Sequence, residues 1–445
     1  MWSGPLFPTL QAISLRCPLG NRMQIRKAVT AMQVAVFHPG VQHSWQTVLA
    51  LQDLGRLQWY ATSIFRRADR FPFTLENLLP GALGRATRRE FSRFDFPQLA
   101  DARIITPGST AEWIERLTAR AGFLGPSRRI NDLGNDLFAR ALEREIRTDI
   151  PYAVWGYNSA SQRVFATAKA CGRLAILDRT IGDWRYFNHQ LEIIRQTHAD
   201  WFIPGVEPQN AQRIARDDAE YSLADVILCG SEFAAATVRQ FAEGQVIAEK
   251  LRVLPYCFDE ALFGNMPAPA PVPKSGPVKF LFTGLAGLRK GFHHVLEAIA
   301  QLPRSDAELT VVGQLSIPDA IFARYADRVT YRRTVPRSEM PAIMADHHAL
   351  LFPSYFEGSA LTLVEALASG LALIQTPQSG NGVTPDTGIC LAKPGTSELL
   401  GAMRQMIDDR DRLDAMRVAA QHEAQRYRFA QYRQGISQLL ADLAC

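Results

Sequence analysis

Cysteine is sparse: six residues in 445 (Cys17, Cys171, Cys229, Cys257, Cys390 and Cys445), with no C-x-x-C pair and no histidine at ligand spacing beside them. That scatter argues against a zinc site and fits a reducing compartment, here the cytoplasm. Long apolar runs are missing too. No window reaches the roughly 18 uninterrupted apolar residues of a membrane span. Neither sign of charge dominates, because 49 Lys and Arg face 44 Asp and Glu, for a net charge of +5 and a pI near 8.9. A balance so mild admits an anionic substrate or membrane surface without demanding nucleic acid. The hydrophobic content of 47% is that of an ordinary globular chain, and the length points to two domains.

Residues 1–31 hold Pro5, Pro8 and Pro18 and several arginines, with neither a signal-peptide core nor a small-residue cleavage pattern. They read as a flexible leader. From Met32 the pattern alternates strand and helix, as a parallel sheet with crossover helices does, and continues to residue 263. The Pro-rich stretch 264–277 reads as a semi-rigid linker. A second alternating series occupies 278–427, and the last helix, 428–445, is assigned to pack back on the first domain.

The most informative stretch runs from His348 to Gly370. It reads as an apolar strand, a loop with Tyr355, Phe356 and Glu357, and a helix from about Ser359 to Ser369. That helix carries one charge, Glu365, and a carboxylate among Ala, Leu and Val is costly to bury without a hydrogen-bond partner. Gly358 and Ser359 let the backbone approach closely, and the first-turn N–H groups suit an anion. Upstream, the turn 284–291 joins a strand to a helix and holds three glycines with Arg289 and Lys290. Backbone donors, a helix start and two cations suit a diphosphate. It is not a Walker loop, since no Ser or Thr follows the lysine. No Asp-x-Asp cluster lies near these loops, so the reading requires no metal and no cofactor.

Glu357 and Glu365, separated by seven residues in E-G-S-A-L-T-L-V-E and followed by A-L-A-S-G, resemble the glutamate signature of the retaining family 4 glycosyltransferases. That resemblance implies an α/β protein of GT-B architecture, with two Rossmann-like doubly wound domains facing a central cleft. It implies transfer of a sugar from a UDP- or GDP-linked donor to a saccharide or lipid-linked saccharide, with retention of configuration. By the same resemblance Glu357 lies beside the donor sugar and Glu365 holds the ribose. Gly358, Ser359 and Ala360 belong to the donor site, and Thr334, in the segment 333–339, to the nucleobase border. In the family a glycine is followed at once by Arg and, five residues later, by Lys-Gly. Here Lys290 and Gly291 match, Gly284 is followed by Leu285, and Arg289 stands in for the lost charge.

The first half departs further from the family. The loop after the first strand offers Gly40, Gln42, His43 and Ser44 in place of a Gly-rich turn, so His43 is an acceptor-side candidate. Asp178 and Arg179 occupy the position where family members place a polar catalytic or acceptor-orienting residue, often His; a helix cap is the plainer role for Asp178. Between residues 65 and 94, seven arginines interleave with Phe65, Phe71, Phe73, Leu75, Leu78 and Leu79. This suits a peripheral contact with an anionic membrane, and equally an ordinary helical insertion with a charged outer side. Two other functions share the architecture: a nucleotide-sugar 2-epimerase and a catalytically silent nucleotide-sugar binder.

Overall fold

The computed structural model describes residues 32–40, 43–107, 109–120, 124–242 and 245–444. The leader, 1–31, lies outside them. The first strands are β1 (Val34–Phe37), β2 (Leu57–Ala61), β3 (Ile104–Ile105), β4 (Ala153–Tyr157), β5 (Ala175–Arg179), β6 (Val226–Cys229) and β7 (Leu251–Val253). They form one parallel sheet in the order β3-β2-β1-β4-β5-β6-β7. β1, β4 and β6 are buried on both faces, which is why they read as unbroken apolar runs; helices cover both sides of such a sheet.

The second half adds β8 (Val278–Thr283), β9 (Ala286–Gly287), β10 (Ala307–Val312), β11 (Leu315–Ser316), β12 (Val329–Arg332), β13 (Ala349–Phe352), β14 (Ala372–Gln375) and β15 (Gly388–Cys390). Six of these form a second parallel sheet, ordered β12-β10-β8-β13-β14-β15, while β9 and β11 pair beside it. In both sheets the strand order reverses beside the first strand, between β1 and β4 and between β8 and β13. Open α/β sheets bind ligands outside the carboxyl ends of their strands at such a reversal. The turn 284–291 follows β8 and the loop 353–360 follows β13, so the topology alone delivers both to one crevice.

The last helix, Phe429–Leu443, lies on the first domain. Tyr432, Ile436, Leu439 and Leu440 enter the core of β1 and β4, Tyr432 shares a hydrogen bond with Thr47, and Arg433 pairs with Asp53 at 2.7 Å. The segment 65–94 forms helices Leu75–Leu78 and Gly81–Phe91 with a small core of its own, Ile64, Phe73, Phe91 and Phe94. Among the described residues no helix is long and apolar enough to cross a membrane.

Candidate functional site

The loops at the carboxyl ends of the two sheets meet. Ile181, after β5, makes an antiparallel bridge with Gly358, and the Gly182 N–H donates to the Glu357 carbonyl at 3.2 Å. Ser231 Oγ donates to the Gly358 carbonyl, and Asn381 Nδ2 to the Gly230 carbonyl at 2.6 Å. Gly358 has to be glycine here, since a Cβ would lie 2.0 Å from the Thr180 carbonyl oxygen. This docking explains why the helix starts at Leu361 rather than Ser359: Gly358, Ser359 and Ala360 form the seam instead of the first turn.

At that seam the two predicted loops come together. Lys290 Nζ lies 2.9 Å from Glu357 Oε1, and Arg289 Nη1 lies 2.7 Å from the same oxygen. Arg289 also donates to the Phe356 carbonyl at 2.7 Å. Gly284 lies against the Lys290 stem, and the ammonium sits 4.2 Å from the centre of the Phe352 ring. The turn is held by Gly291, whose φ of +67° suits glycine and where a Cβ would lie 2.1 Å from the Pro353 carbonyl oxygen. Burial pushes the Lys290 pKa down, with Glu357 partly opposing. Burial alone would raise the Glu357 carboxyl, but the adjacent Lys290 and Arg289 charges hold it below the ordinary range. Two cations thus share one carboxylate, and the cluster carries a surplus positive charge beside the crevice.

Glu365, eight residues on, is buried at 4% exposure. Its partner is Arg337, which donates to Glu365 Oε1. Burial raises the Glu365 pKa and the Arg337 charge opposes it. Thr334, expected at the nucleobase border, is exposed; the residue of that segment that reaches the glutamate is Arg337. The signal was present, because a lone acid on an apolar helix requires a cation and the bordering loop carries one.

His43 stands across the crevice. It shares a cavity of about 520 Å³ with Gln46, Asp259, Arg337, Leu361 and Glu365, so residues of both domains line one space. The His43 ring stacks on Tyr256, with centroids 4.6 Å apart, and burial lowers its pKa to about 4. It is a neutral imidazole at pH 7. Tyr256 in turn donates to Asp178 Oδ1 at 2.5 Å, and Trp155 Nε1 donates to Asp178 Oδ2 at 3.3 Å. Asp178 is 2% exposed; it caps no helix and reaches the crevice only through Tyr256 and His43. Burial raises its pKa to about 7 against those two hydrogen bonds. Arg179 is fully buried and committed to the protein: it donates to Asp217 and to the carbonyls of Ile181 at 2.9 Å and Gly182 at 2.7 Å. It shapes the loop that docks on Gly358 and, being fully buried, is not exposed to an acceptor.

A model of the family described as glycosyl transferases group 1 matches residues 277–409, the stretch holding both loops. The match covers 133 of the 445 residues, most of the second half of the chain. The glycogen synthase of Mycobacterium tuberculosis is 27% identical over 147 residues, 31% of this chain and 36% of that protein. The chain therefore spans about a third of that relative's length. Among solved structures, the sucrose-phosphate synthase of Thermosynechococcus elongatus superposes with a TM-score of 0.61 at 16% identity, over 93% of this chain and 99% of its own. Anabaena HepE, solved with UDP, superposes with a TM-score of 0.56 at 14% identity, over 92% and 100%. At such identities the likeness is one of fold, the GT-B arrangement of two facing domains.

Proposed function

We propose that this chain is a group 1 glycosyltransferase, a retaining hexosyltransferase that moves a sugar from a UDP- or GDP-linked donor to a saccharide or lipid-linked saccharide, without a metal. The observation that carries this reading is the convergence of Lys290 and Arg289 on Glu357 at the reversal point of the second sheet. A diphosphate brings the negative charge that this surplus cation lacks. As the anomeric carbon leaves, charge builds on the leaving phosphate, where Lys290, Arg289 and the start of the helix at Leu361 stabilise it. Glu357 holds the cations in place and lies beside the sugar; Glu365, oriented by Arg337, takes the ribose hydroxyls. The acceptor hydroxyl enters past His43 and attacks on the face the diphosphate leaves. HepE, which was solved with UDP, and the relative named glycogen synthase support the donor class and the saccharide acceptor.

Incubation with a panel of labelled nucleotide sugars tests the proposal. Acceptor-dependent release of nucleoside diphosphate is expected; interconversion of the sugars or binding without turnover would overturn it. The same reading places the protein at an anionic membrane surface. Phe71, Leu78 and Leu83 are 79%, 73% and 68% exposed on the segment that also exposes Arg70 and Arg85. Flotation with anionic vesicles is expected, and its loss when Phe71, Leu78 and Leu83 become Ser; equal flotation of that variant would contradict it.

A further inference from the structure

Three histidines meet where the two domains touch. His198 ends the helix Trp184–His198 of the first domain, while His293 and His294 open the helix Phe292–Ala300 that follows the Lys290 turn. One ring nitrogen from each lies within 4.8 Å of the others. The His198 and His293 ring centroids are 4.4 Å apart, and those of His293 and His294 are 3.9 Å apart. His293 is wholly buried, yet neither its Nδ1 nor its Nε2 has a hydrogen-bond partner among the described residues. Buried polar groups are almost always satisfied, so an imidazole with two idle nitrogens requires an explanation. A carboxylate stands beside the group: Glu297 Oε1 is 3.5 Å from His198 Nε2, and its Oε2 is 3.9 Å from His294 Nδ1.

We propose that His198, His293 and His294 bind one divalent transition-metal ion of the zinc class, with Glu297 or a water as fourth ligand. Three imidazoles and one oxygen form a tetrahedral zinc set, with ligand atoms about 3.4 Å apart at bond lengths near 2.1 Å. Small ring rotations bring a 4.8 Å cluster to that spacing. His294 already has an outer partner on each side, Tyr355 Oη at 2.7 Å and Thr396 Oγ1 at 2.8 Å. The metal displaces one and leaves the other to orient the ring. His198 is only partly covered, its side chain 18% exposed, which provides the path of entry. The residues are too far apart in sequence for spacing to reveal them: 95 positions separate His198 from His293. The bound ion pins the helix ending at His198 to the helix that begins just after Lys290, and so fastens the domain seam. Nothing in this site depends on the transferase reading.

The test uses the untagged full chain, stripped with a chelator and titrated with zinc alone against a chromogenic zinc indicator. The expected result is one equivalent bound per chain, a zinc-dependent rise in melting temperature, and visible tetrahedral absorption when cobalt alone replaces zinc. His198→Gln and His293→Gln should each weaken zinc by more than about 100-fold, beyond the 10- to 100-fold loss typical of an outer-shell partner. Because His198 sits at a helix end near the surface, its variant remains decisive if His293→Gln fails to fold. Absence of stoichiometric binding by the parent chain would overturn the proposal, as would zinc affinity unchanged in His198→Gln.

Discussion

Two buried charge clusters lie close together at the domain seam, and their difference separates structure from site. In the first domain Arg179 meets Asp217, while Arg185 joins Asp183 and Asp218. Each arginine there has at least one carboxylate of its own, and Arg179 also donates to two carbonyls. In the second domain Lys290 and Arg289 share the single carboxylate of Glu357. A cluster in which every cation has its own carboxylate is complete within the protein. One that keeps excess positive charge beside an open crevice is prepared for an anion, since burying an uncompensated charge is otherwise expensive.

Arg179→Met tests the first of these clusters and should have the largest effect. It strands Asp217 in the interior, where removing one partner of a buried pair costs about 3–5 kcal/mol, read as a lowered denaturant midpoint. The molecules that remain folded should turn over normally. Lost turnover at full stability would instead place Arg179 in the site. Lys290→Ala is the converse: the fold survives with Glu357 still paired to Arg289, and kcat falls by about 100- to 1,000-fold, the size expected for one donor to a developing oxyanion. Glu365→Ala should weaken nucleotide binding by about tenfold, or about 1.4 kcal/mol, measured by calorimetry, with little change in turnover at saturation.

The smallest effect concerns Asp178. Burial raises its pKa from 3.8 to about 7 in the folded chain, so the folded state binds this proton more tightly than the unfolded one. That contribution to stability is complete below about pH 4 and is lost as pH rises through about 7. Asp178→Asn should therefore flatten the decline of melting temperature between pH 4 and 8 and exceed the parent above pH 7. A slope remains from Glu220, which burial also raises to about 7. An unchanged pH profile in Asp178→Asn would show that this carboxyl is ionised throughout.

The same contrast governs what the sequence made legible. The donor side is local: each loop follows its strand directly, so Lys290 and Glu357 could be read from short stretches and joined by the sheet order. The alternation of strand and helix was likewise local, and it yielded both sheets. What escaped depends on distant pairings. Asp178 meets Tyr256 across 78 positions, Arg337 meets Glu365 across 28, and the seam between Gly358 and Ser231 spans 127. The helix start was misplaced for that reason: apolar periodicity sees good helix formers from Ser359, but the facing domain claims the backbone of 358–360. Arg179 deceived in the same way, because exposure of a charged side chain cannot be read from its neighbours in sequence.

The central claim is that the turn 284–291 and the helix start at Leu361 receive a pyrophosphate between them. Calorimetric titration of Lys290→Ala and the parent with a nucleoside diphosphate and its free nucleoside, uridine or guanosine as the parent prefers, tests this most directly. The account predicts that the substitution lowers affinity for the diphosphate by more than about tenfold, a loss of at least 1.4 kcal/mol, and leaves the nucleoside unaffected. Equal affinity of both proteins for the diphosphate would contradict it.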